Sequence, residues 1–335
     1  MAKKRLLIST LVLVATLLAF NWFVGRTART WPRMLFRDIA KSHDVGTLVI
    51  GNSLLASGFD ETAFLKASPS GDAASQSASA HGPVLNAACG ATLPVEHLIF
   101  YNAASRVSPK IPCLLYGFYR DQLTATTEAK WQDLSGNRAM VFYSDFELGL
   151  PMYAPNDRLL AVQLRITRLL PAVYERLNIW RRVEMLRRGI DRWGLPAEAT
   201  MRFGRVADFA SGIFLPKDNA AALEYFRRST EENVQLSHPV QAILRQAKAA
   251  GTRVIVIEMP LPLAHRKSLG TGDAWPKYRA HVRRLIEAEG AACVDTLEWF
   301  SDDKRYFADD LHLNPFGAAE FSARLAESVV RVLEK

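Results

Sequence analysis

Short apolar runs alternate with helical stretches along most of this chain, and this alternation limits the folds open to it. The clearest example is PVQAILRQAKAAGTRVIVIEMP, in which an amphipathic helix, a glycine-containing turn and a run of β-branched residues follow one another. Runs that are apolar on both faces are typical of parallel strands covered by helices. We therefore predict an α/β domain with strands at Thr47–Ile50, Val84–Asn86, Ile111–Tyr116, Arg253–Met259 and Ala292–Asp295.

The N-terminus has the composition of a membrane anchor. The segment Leu6–Val24 has no charged side chain and is long enough to cross the roughly 30 Å core of a bilayer. Trp22 would lie in the interfacial aromatic belt. No small-x-small cleavage site closes the apolar run, which favours an uncleaved transmembrane anchor over residues 1–25 rather than a cleaved signal peptide. Basic residues flank both ends of the anchor, so charge alone leaves its orientation open.

The first predicted strand ends in Gly51, Asn52 and Ser53. Ligands of open parallel sheets bind outside the carboxyl ends of the strands, so a serine at this place would face the binding crevice. Gly51 permits a tight turn, and a helix that begins after Ser53 would point its unpaired N–H groups towards the same crevice. A serine hydroxyl becomes a good nucleophile only when a base removes its proton. Ser53 is therefore a candidate nucleophile that requires a base from elsewhere in the chain.

The segment FADDLHLNPFG near the C-terminus can supply that base. Asp309 precedes His312 by three residues, in a predicted loop before a final helix. This spacing lets the carboxylate reach one nitrogen of the imidazole and leaves the other nitrogen to face a hydroxyl. The final helix would bury the residues that recur at helical spacing on one face, Ala318, Phe321, Leu325 and Val329.

With these two segments the chain resembles the SGNH (GDSL-type) hydrolases. IGNSLLASG is similar to the first block of that family, with Asn52 in place of its usual Asp, and DDLHLNPFG is similar to the last block. The resemblance implies a flavodoxin-like three-layer α/β/α sandwich. It also implies Ser53 as nucleophile, His312 as general base and Asp309 as the residue that orients His312. It implies no cofactor, and no histidine has metal-ligand spacing, so we predict no metal.

The oxyanion hole of the family matches less closely. The family has a glycine after its second strand, and Gly90 in NAACGAT is the candidate here. The family's third block ends in an Asn that donates to the oxyanion, and Tyr119 stands at that place in YGFYRDQ. Loss of one such donor typically costs about 10²–10³ in rate. Either Asn52, Tyr119 or Arg120 substitutes for the donor, or the activity is slow, specialised or absent.

The anchor together with both blocks is most similar to membrane-anchored members of the family. These take part in O-acetylation of exopolysaccharides and in D-alanylation of teichoic acid, beside a membrane-bound O-acyltransferase. The resemblance implies a single-pass protein of the inner membrane with a periplasmic catalytic domain. It would act as an esterase or O-acyltransferase on an acylated polysaccharide of the cell envelope. Two alternatives remain open: an impaired subunit that binds glycan or scaffolds an envelope complex, and a lysophospholipase or thioesterase.

The predicted organisation is an anchor (1–25), a basic linker (26–44) and the SGNH-like domain (45–335), which carries a helical insertion at about 124–233. Within the insertion, Arg158–Arg192 is rich in arginine with interleaved apolar residues. It is either a solvated amphipathic helix pair, a lid, or a face that binds anionic lipid or an acidic glycan. The Ser/Ala/Gly-rich stretch 67–82 is predicted to be a mobile surface loop.

The remaining composition restricts the partners. The net charge of +8 favours an anionic neighbour, but no zinc spacing, RNP-type strand or basic heptad indicates nucleic-acid binding. Substrates would be an acylated glycan or a lipid. We expect the three cysteines, Cys89, Cys113 and Cys293, to be buried apolar residues. Among the other histidines, we expect His97 to be half-buried on a helix. The remaining five are expected in linkers, loops or polar helical faces: His43, His81, His238, His265 and His281.

Overall fold

A computed structural model describes residues 2–28, 30–68, 82–125, 130–187, 219–270, 272–300 and 303–334. Most of the stretch 67–82 and parts of the predicted insertion, including 188–218, lie outside the described residues. The chain forms two compact units, one of residues 1–34 with 128–200 and the other of residues 35–127 with 201–335. The first unit is helical, and the second contains the sheet.

The sheet has five parallel strands in the order β2-β1-β3-β4-β5. Each predicted strand is present, and the third begins two residues later than predicted. Pro112 has no N–H to donate to a ladder, so it contributes only its carbonyl, which accepts from the backbone N–H of Arg253 at 2.8 Å. The strands are β1 (Thr47–Gly51), β2 (Val84–Asn86), β3 (Cys113–Phe118), β4 (Arg253–Glu258) and β5 (Ala292–Asp295).

Helices pack on the sheet in a manner consistent with a three-layer α/β/α sandwich. One group is α3 (Ser53–Gly58), α4 (Glu61–Ala67) and the final helix, α15 (Pro315–Leu333), which contacts both. Another group is α5 (Pro94–Val107) and α11 (His238–Ala249), which pack together over β1 and β4. The predicted core face of α15 is confirmed, because Ala318, Phe321, Leu325 and Val329 are buried.

Shorter elements complete this unit. The predicted basic linker contains a helix, α2 (Trp31–Lys41), whose Phe36 ring lies 5.1 Å from that of Phe100 on α5. The helix α10 (Ala220–Glu231) packs on α13 (Ala274–Ala288), although the sequence placed it in the insertion. The remaining helices are α12 (Leu263–Leu269) and α14 (Asp303–Tyr306).

The helical unit contains the apolar N-terminal helix, α1 (Ala2–Thr27). By length and composition, its segment Lys3–Thr27 can cross a membrane. Two 3₁₀ segments, Trp131–Asp133 and Gly136–Phe142, lead into the other helices. These are α6 (Phe146–Tyr153), α7 (Arg158–Arg168), α8 (Pro171–Tyr174) and α9 (Arg176–Arg187).

Candidate active site

Ser53, His312 and Asp309 form one hydrogen-bonded chain. The Nε2 atom of His312 lies 3.0 Å from Ser53 Oγ, although the two residues are 259 positions apart. On the other side of the ring, Nδ1 lies 3.1 Å from each carboxylate oxygen of Asp309. His312 and Asp309 are buried, whereas Ser53 is partly exposed. The three predicted catalytic residues therefore lie together, with the hydroxyl at the accessible end.

The position of Ser53 follows from the way α3 begins. Asn52 caps the helix, and its side-chain oxygen accepts from the N–H of Leu54 at 2.9 Å. Gly51 and Gly117 are register partners on β1 and β3. A Cβ on Gly51 would lie 2.8 Å from the Gly117 carbonyl oxygen, and a Cβ on Gly117 would lie 2.9 Å from the Leu55 side chain. The two glycines thus let α3 lie directly across the strand ends, with Ser53 as its first residue.

A short loop before α15 holds His312. Ala308 N–H donates to the His312 carbonyl at 2.7 Å, and an isolated antiparallel bridge joins Phe307 to Leu313. Asn314 caps α15 through Gly317 N–H at 2.8 Å. On the same helix, the hydroxyl of Ser322 accepts from the N–H of Asp60 at 2.8 Å, which ties α15 to the segment after α3. This contact helps to bring the two ends of the domain together.

Hydrogen bonds fix the charge state of Asp309 and the tautomer of His312. Burial alone would raise the pKa of the Asp309 carboxyl, but hydrogen bonds from the His312 ring and from the N–H groups of His312 and Leu311 outweigh it, so the pKa lies below its usual value. Because the carboxylate can only accept, Nδ1 of His312 carries the proton. Nε2 is then an acceptor, and the Ser53 hydroxyl donates to it. This is the arrangement that a general base requires.

Beneath the serine lies a buried polar network that the sequence did not reveal. The amide nitrogen of Asn52 donates to Gln122 Oε1 at 2.9 Å, and the Gln122 amide nitrogen donates to the Thr92 carbonyl at 3.3 Å. The Thr92 hydroxyl donates to the Cys89 carbonyl at 2.6 Å, so it accepts from His97 Nε2 at 3.0 Å. The network connects the cap of α3 with the loop that follows β2.

His97 completes this network. Its Nδ1 atom accepts from the Tyr116 hydroxyl at 3.1 Å, and the ring is fully buried. Burial lowers the pKa of His97 to about 3, so the ring is neutral at physiological pH. The expectation of a half-buried His97 was wrong. The apolar residues around it on α5 indicated a buried face, but no local pattern indicated that a hydroxyl on β3 would be there to pair with a fully buried ring.

Gly90 lies in the loop next to the end of β1. The preceding residue, Cys89, donates its N–H to the Gly51 carbonyl at 3.0 Å. The following residue, Ala91, has a φ of +56°, which is left-handed and unfavourable for a residue with a Cβ. The loop therefore lies beside the Gly51–Asn52–Ser53 segment, where an oxyanion donor would be required. The N–H of Gly90 remains a predicted donor to the oxyanion.

Tyr119 and Arg120 follow β3, but the Tyr119 hydroxyl is engaged elsewhere. It lies 2.7 Å from Nε2 of His265, whose Nδ1 lies 3.0 Å from the Asp310 carbonyl. A carbonyl only accepts, so Nδ1 carries the His265 proton, and burial lowers the pKa of this histidine. Tyr119 therefore donates its single proton to His265. Arg120 has a φ of +51°, and its Nη1 lies 3.4 Å from the Tyr119 hydroxyl.

His265 was missed by the sequence analysis. It was expected in a linker, a loop or a polar helical face, yet it is fully buried on α12. The same expectation was wrong for His281, which is buried on α13. The residues around it, Leu263 to Leu269, include an arginine, a lysine and a serine, so the local pattern resembles that of an exposed helix. Nothing in that pattern indicates a tyrosine partner 146 positions away. Cys89 and Cys113 are buried as expected, and Cys293 is partly exposed.

Other site classes find less support. Within the described residues, no group of three or more His, Cys, Asp or Glu side chains is arranged to hold a metal ion. A cleft of about 670 Å³ lies in the helical unit, between the first 3₁₀ segment, the end of α6 and the start of α7, and none of the predicted site residues lines it. The hydrogen-bonded chain at Ser53 has the geometry that nucleophilic catalysis by a serine requires.

Comparison with known proteins gives no family for this chain. No model of a known protein family matches it, and no curated protein sequence matches it.

Proposed function

We propose that this protein is a membrane-anchored serine esterase or O-acyltransferase of the SGNH type, acting on an acylated polysaccharide of the cell envelope. The observation that carries the proposal is the chain of contacts from Ser53 Oγ to His312 Nε2 at 3.0 Å and from His312 Nδ1 to Asp309 at 3.1 Å. The strand order, with the serine after β1 and the histidine before the last helix, supports the flavodoxin-like form of the sandwich.

The reaction proceeds in two steps. Ser53 Oγ attacks the ester carbonyl carbon while its proton passes to His312 Nε2. The carbonyl oxygen becomes an oxyanion, and its collapse breaks the bond to the alcohol, which leaves with the proton from His312. Water or a sugar hydroxyl then gives a proton to His312 and attacks the acyl carbon. The bond from that carbon to Ser53 Oγ breaks, and Ser53 Oγ takes the proton back from His312. Asp309 keeps the proton on Nδ1 throughout, and it stabilises the imidazolium.

Three donors would bind the oxyanion: the N–H groups of Ser53 and Gly90, and a third group. Tyr119 is poorly suited, because its single proton goes to His265. The Asn52 amide nitrogen has two hydrogens, of which Gln122 takes one. Arg120 directs its Nη1 towards the Tyr119 hydroxyl at 3.4 Å. Of the three predicted substitutes we therefore assign the third donor to Asn52, which would replace the Asn that the family has at the position of Tyr119.

The apolar helix α1 supports the parts of the proposal that concern the location of the protein, its substrate and its partner. A chain held by α1 in the inner membrane, with its catalytic unit in the periplasm, would meet polysaccharide at the membrane surface. A membrane-bound O-acyltransferase would be the natural source of an acyl group there. The proposal includes no cofactor and no nucleic acid.

A second candidate is a non-catalytic subunit that binds glycan or scaffolds an envelope complex. The observation that favours it is the engagement of the Tyr119 hydroxyl by His265, which removes a side-chain donor from the end of β3. In this case Ser53 would be unreactive although His312 lies beside it.

The experiment uses the full chain in mild detergent, with Ser53→Ala and the matched control Ser57→Ala on the same helix. We expect the wild type and the control to hydrolyse p-nitrophenyl acetate and to react with a fluorophosphonate probe, and Ser53→Ala to do neither. A folded wild type that does neither would refute the esterase and favour the second candidate. Faster hydrolysis of long-chain than of acetyl esters would instead indicate the lysophospholipase or thioesterase alternative.

A further inference from the structure

The helix α7 presents two apolar faces, and only one of them is packed against protein. Leu164 and Thr167 are buried against the helical unit. The other face, continued by Leu169 at the C-cap, has four large apolar side chains that are 51–73% exposed: Leu159, Val162, Ile166 and Leu169. At 3.6 residues per turn these four lie within about 80° of one another. We call them the α7 stripe. A helix on a solvated surface would carry polar side chains at these positions.

The α7 stripe is continuous with the membrane-spanning helix. The side-chain nitrogen of Asn21 on α1 donates to the carbonyl of Leu169, the last residue of the stripe, at 3.0 Å. The side-chain oxygen of Asn21 accepts from Ala172 N–H at 3.0 Å. A Cβ on Gly25 would lie 3.0 Å from Pro171. The corner between α7 and α8 is therefore bound tightly to the C-terminal part of α1.

The position of this contact along α1 sets the depth at which the contact lies in the bilayer. Residues Leu6 to Phe20 have exposed side chains, as expected of a helix surrounded by lipid. At 1.5 Å per residue, Leu6–Val24 is about 27 Å long, close to the thickness of a bilayer core. Asn21 thus lies near the boundary between acyl chains and headgroups, and Leu169 lies there with it. Trp22, 65% exposed beside this contact, is typical of that boundary.

The charges of α7 suit the same boundary. Arg158, Arg165 and Arg168 lie on this helix, and no acidic residue lies between Arg158 and Arg168. Arg165 and Arg168 both contact Glu147, at 3.8 and 3.3 Å, and remain about half exposed. Basic side chains beside an apolar stripe are typical of helices that lie in a membrane interface rich in anionic lipid.

We propose that the α7 stripe is a second membrane-binding element. It inserts into the headgroup region of the leaflet that surrounds the C-terminal part of α1, and it holds the helical unit against the bilayer. The occupant of the stripe is lipid, not a second copy of the chain or a protein partner. The inference is independent of the reaction proposed for Ser53.

The test places an environment-sensitive fluorophore on single cysteines in the full chain, reconstituted into vesicles of phosphatidylcholine and phosphatidylglycerol. The background is Cys293→Ser, because Cys89 and Cys113 are buried. Labels replace Leu159, Val162, Ile166 and Leu169 in turn. Arg168→Cys, on the flank of α7, and Arg331→Cys, on α15 and 71% exposed, serve as controls.

We expect blue-shifted emission at all four stripe positions and quenching by lipids that carry bromine on the acyl chains. Bromine near the carbonyl end should quench more than bromine near the middle of the chain, since interfacial helices sit about 5–10 Å deep. The label at Arg331 should emit as in water and stay unquenched, and that at Arg168 should be quenched less than the stripe. Water-like emission along the stripe would overturn the proposal, and so would a blue shift without bromine quenching, which would indicate a protein partner.

A second measurement needs no substitution in the stripe. The wild-type chain is reconstituted with phosphatidylglycerol that carries a photoreactive group high on its acyl chain, then irradiated and digested with trypsin. We expect lipid adducts on the fragment Leu159–Arg165 as well as on α1. Adducts on α1 alone would refute the proposal, whatever the labelled variants show.

Discussion

Asp309→Asn is the substitution whose effect the site geometry specifies most closely. Asp309 Oδ1 accepts from the N–H groups of Leu311 and His312 at 2.8 and 2.7 Å. The new amide would keep its oxygen at this place, since only an acceptor satisfies both donors. Its NH₂ group would then stand where Oδ2 stands, 3.1 Å from His312 Nδ1. A donor at this point opposes a proton on Nδ1 and favours the tautomer with the proton on Nε2, although the retained oxygen at Oδ1 also lies 3.1 Å from Nδ1.

The altered tautomer leaves the His312 ring in place but deprives it of the acceptor nitrogen that a general base needs. Nε2–H would donate to Ser53 Oγ instead of accepting its proton, so Ser53 would lose its activation. In serine-protease triads the same change costs about 10⁴ in kcat, or about 5.4 kcal/mol of transition-state stabilisation. We expect a loss of this size in p-nitrophenyl acetate hydrolysis. The thermal stability should fall by only about 1–2 kcal/mol, because both backbone hydrogen bonds remain.

The stability difference should also depend on pH in a defined direction. The folded-state pKa of Asp309 is lowered, so its ionisation stabilises the fold fully above the unfolded pKa of about 3.9, and this contribution is lost as the pH falls through the lower, folded value. The gap in melting temperature between wild type and Asp309→Asn should therefore stay constant near neutrality and narrow below about pH 4.

The control is Asp273→Asn, which makes the same chemical change at an exposed carboxylate that pairs with Lys277. It should keep wild-type activity, because surface pairs contribute little. Activity of Asp309→Asn within about tenfold of the wild type, in a preparation where Ser53→Ala is inactive, would refute the role assigned to Asp309.

Three further predictions concern the surroundings of the triad. Gly51→Ala would place a Cβ 2.8 Å from the Gly117 carbonyl oxygen, so we expect thermal denaturation to show a loss of about 1–3 kcal/mol, and an unchanged melting temperature would contradict this packing. The pKa of His97 is about 3 in the folded state and near 6.5 in the unfolded state. The free energy of unfolding of the wild type should therefore fall as the pH drops below 6.5, by up to about 1.4 kcal/mol per pH unit. His97→Gln should show a shallower slope when melts are recorded at several pH values. Asn52→Asp keeps the cap but removes the amide donor and should lower kcat by about 10²–10³, whereas Tyr119→Phe should lower it by less than about tenfold; equal losses in the two variants would contradict the assignment of the oxyanion donor.

Local patterns accounted for much of the α/β unit. The five strands were predictable because each is a short apolar run bounded by turn residues, and a buried parallel strand needs little else. The core face of α15 was predictable for the same kind of reason, because Phe321, Leu325 and Val329 recur at helical spacing. The residues of the triad could be proposed because two short segments each placed a reactive side chain beside a turn.

Partners of buried polar groups were not predictable in this way. His97 and His265 have ordinary helical neighbours, and the tyrosine hydroxyls that they contact come from Tyr116 on β3 and from Tyr119, the residue after it. Whether a buried imidazole finds a partner depends on which strand lies beneath its helix, and that is a property of the packed sheet. The same holds for Gln122, whose bond to Asn52 spans 70 positions.

By itself, then, the sequence determined the five strands, the apolar helix at the N-terminus and the core face of the last helix, and it identified the serine, histidine and aspartate that could react. Only the tertiary structure decided that Ser53 and His312 meet at 3.0 Å, that Tyr119 gives its proton to His265, and that α1 binds the corner beside the α7 stripe. The physical reason is range. Hydrophobic periodicity acts between residues a few positions apart. Each of these contacts joins residues more than a hundred positions apart and exists only once the unit that contains it has folded.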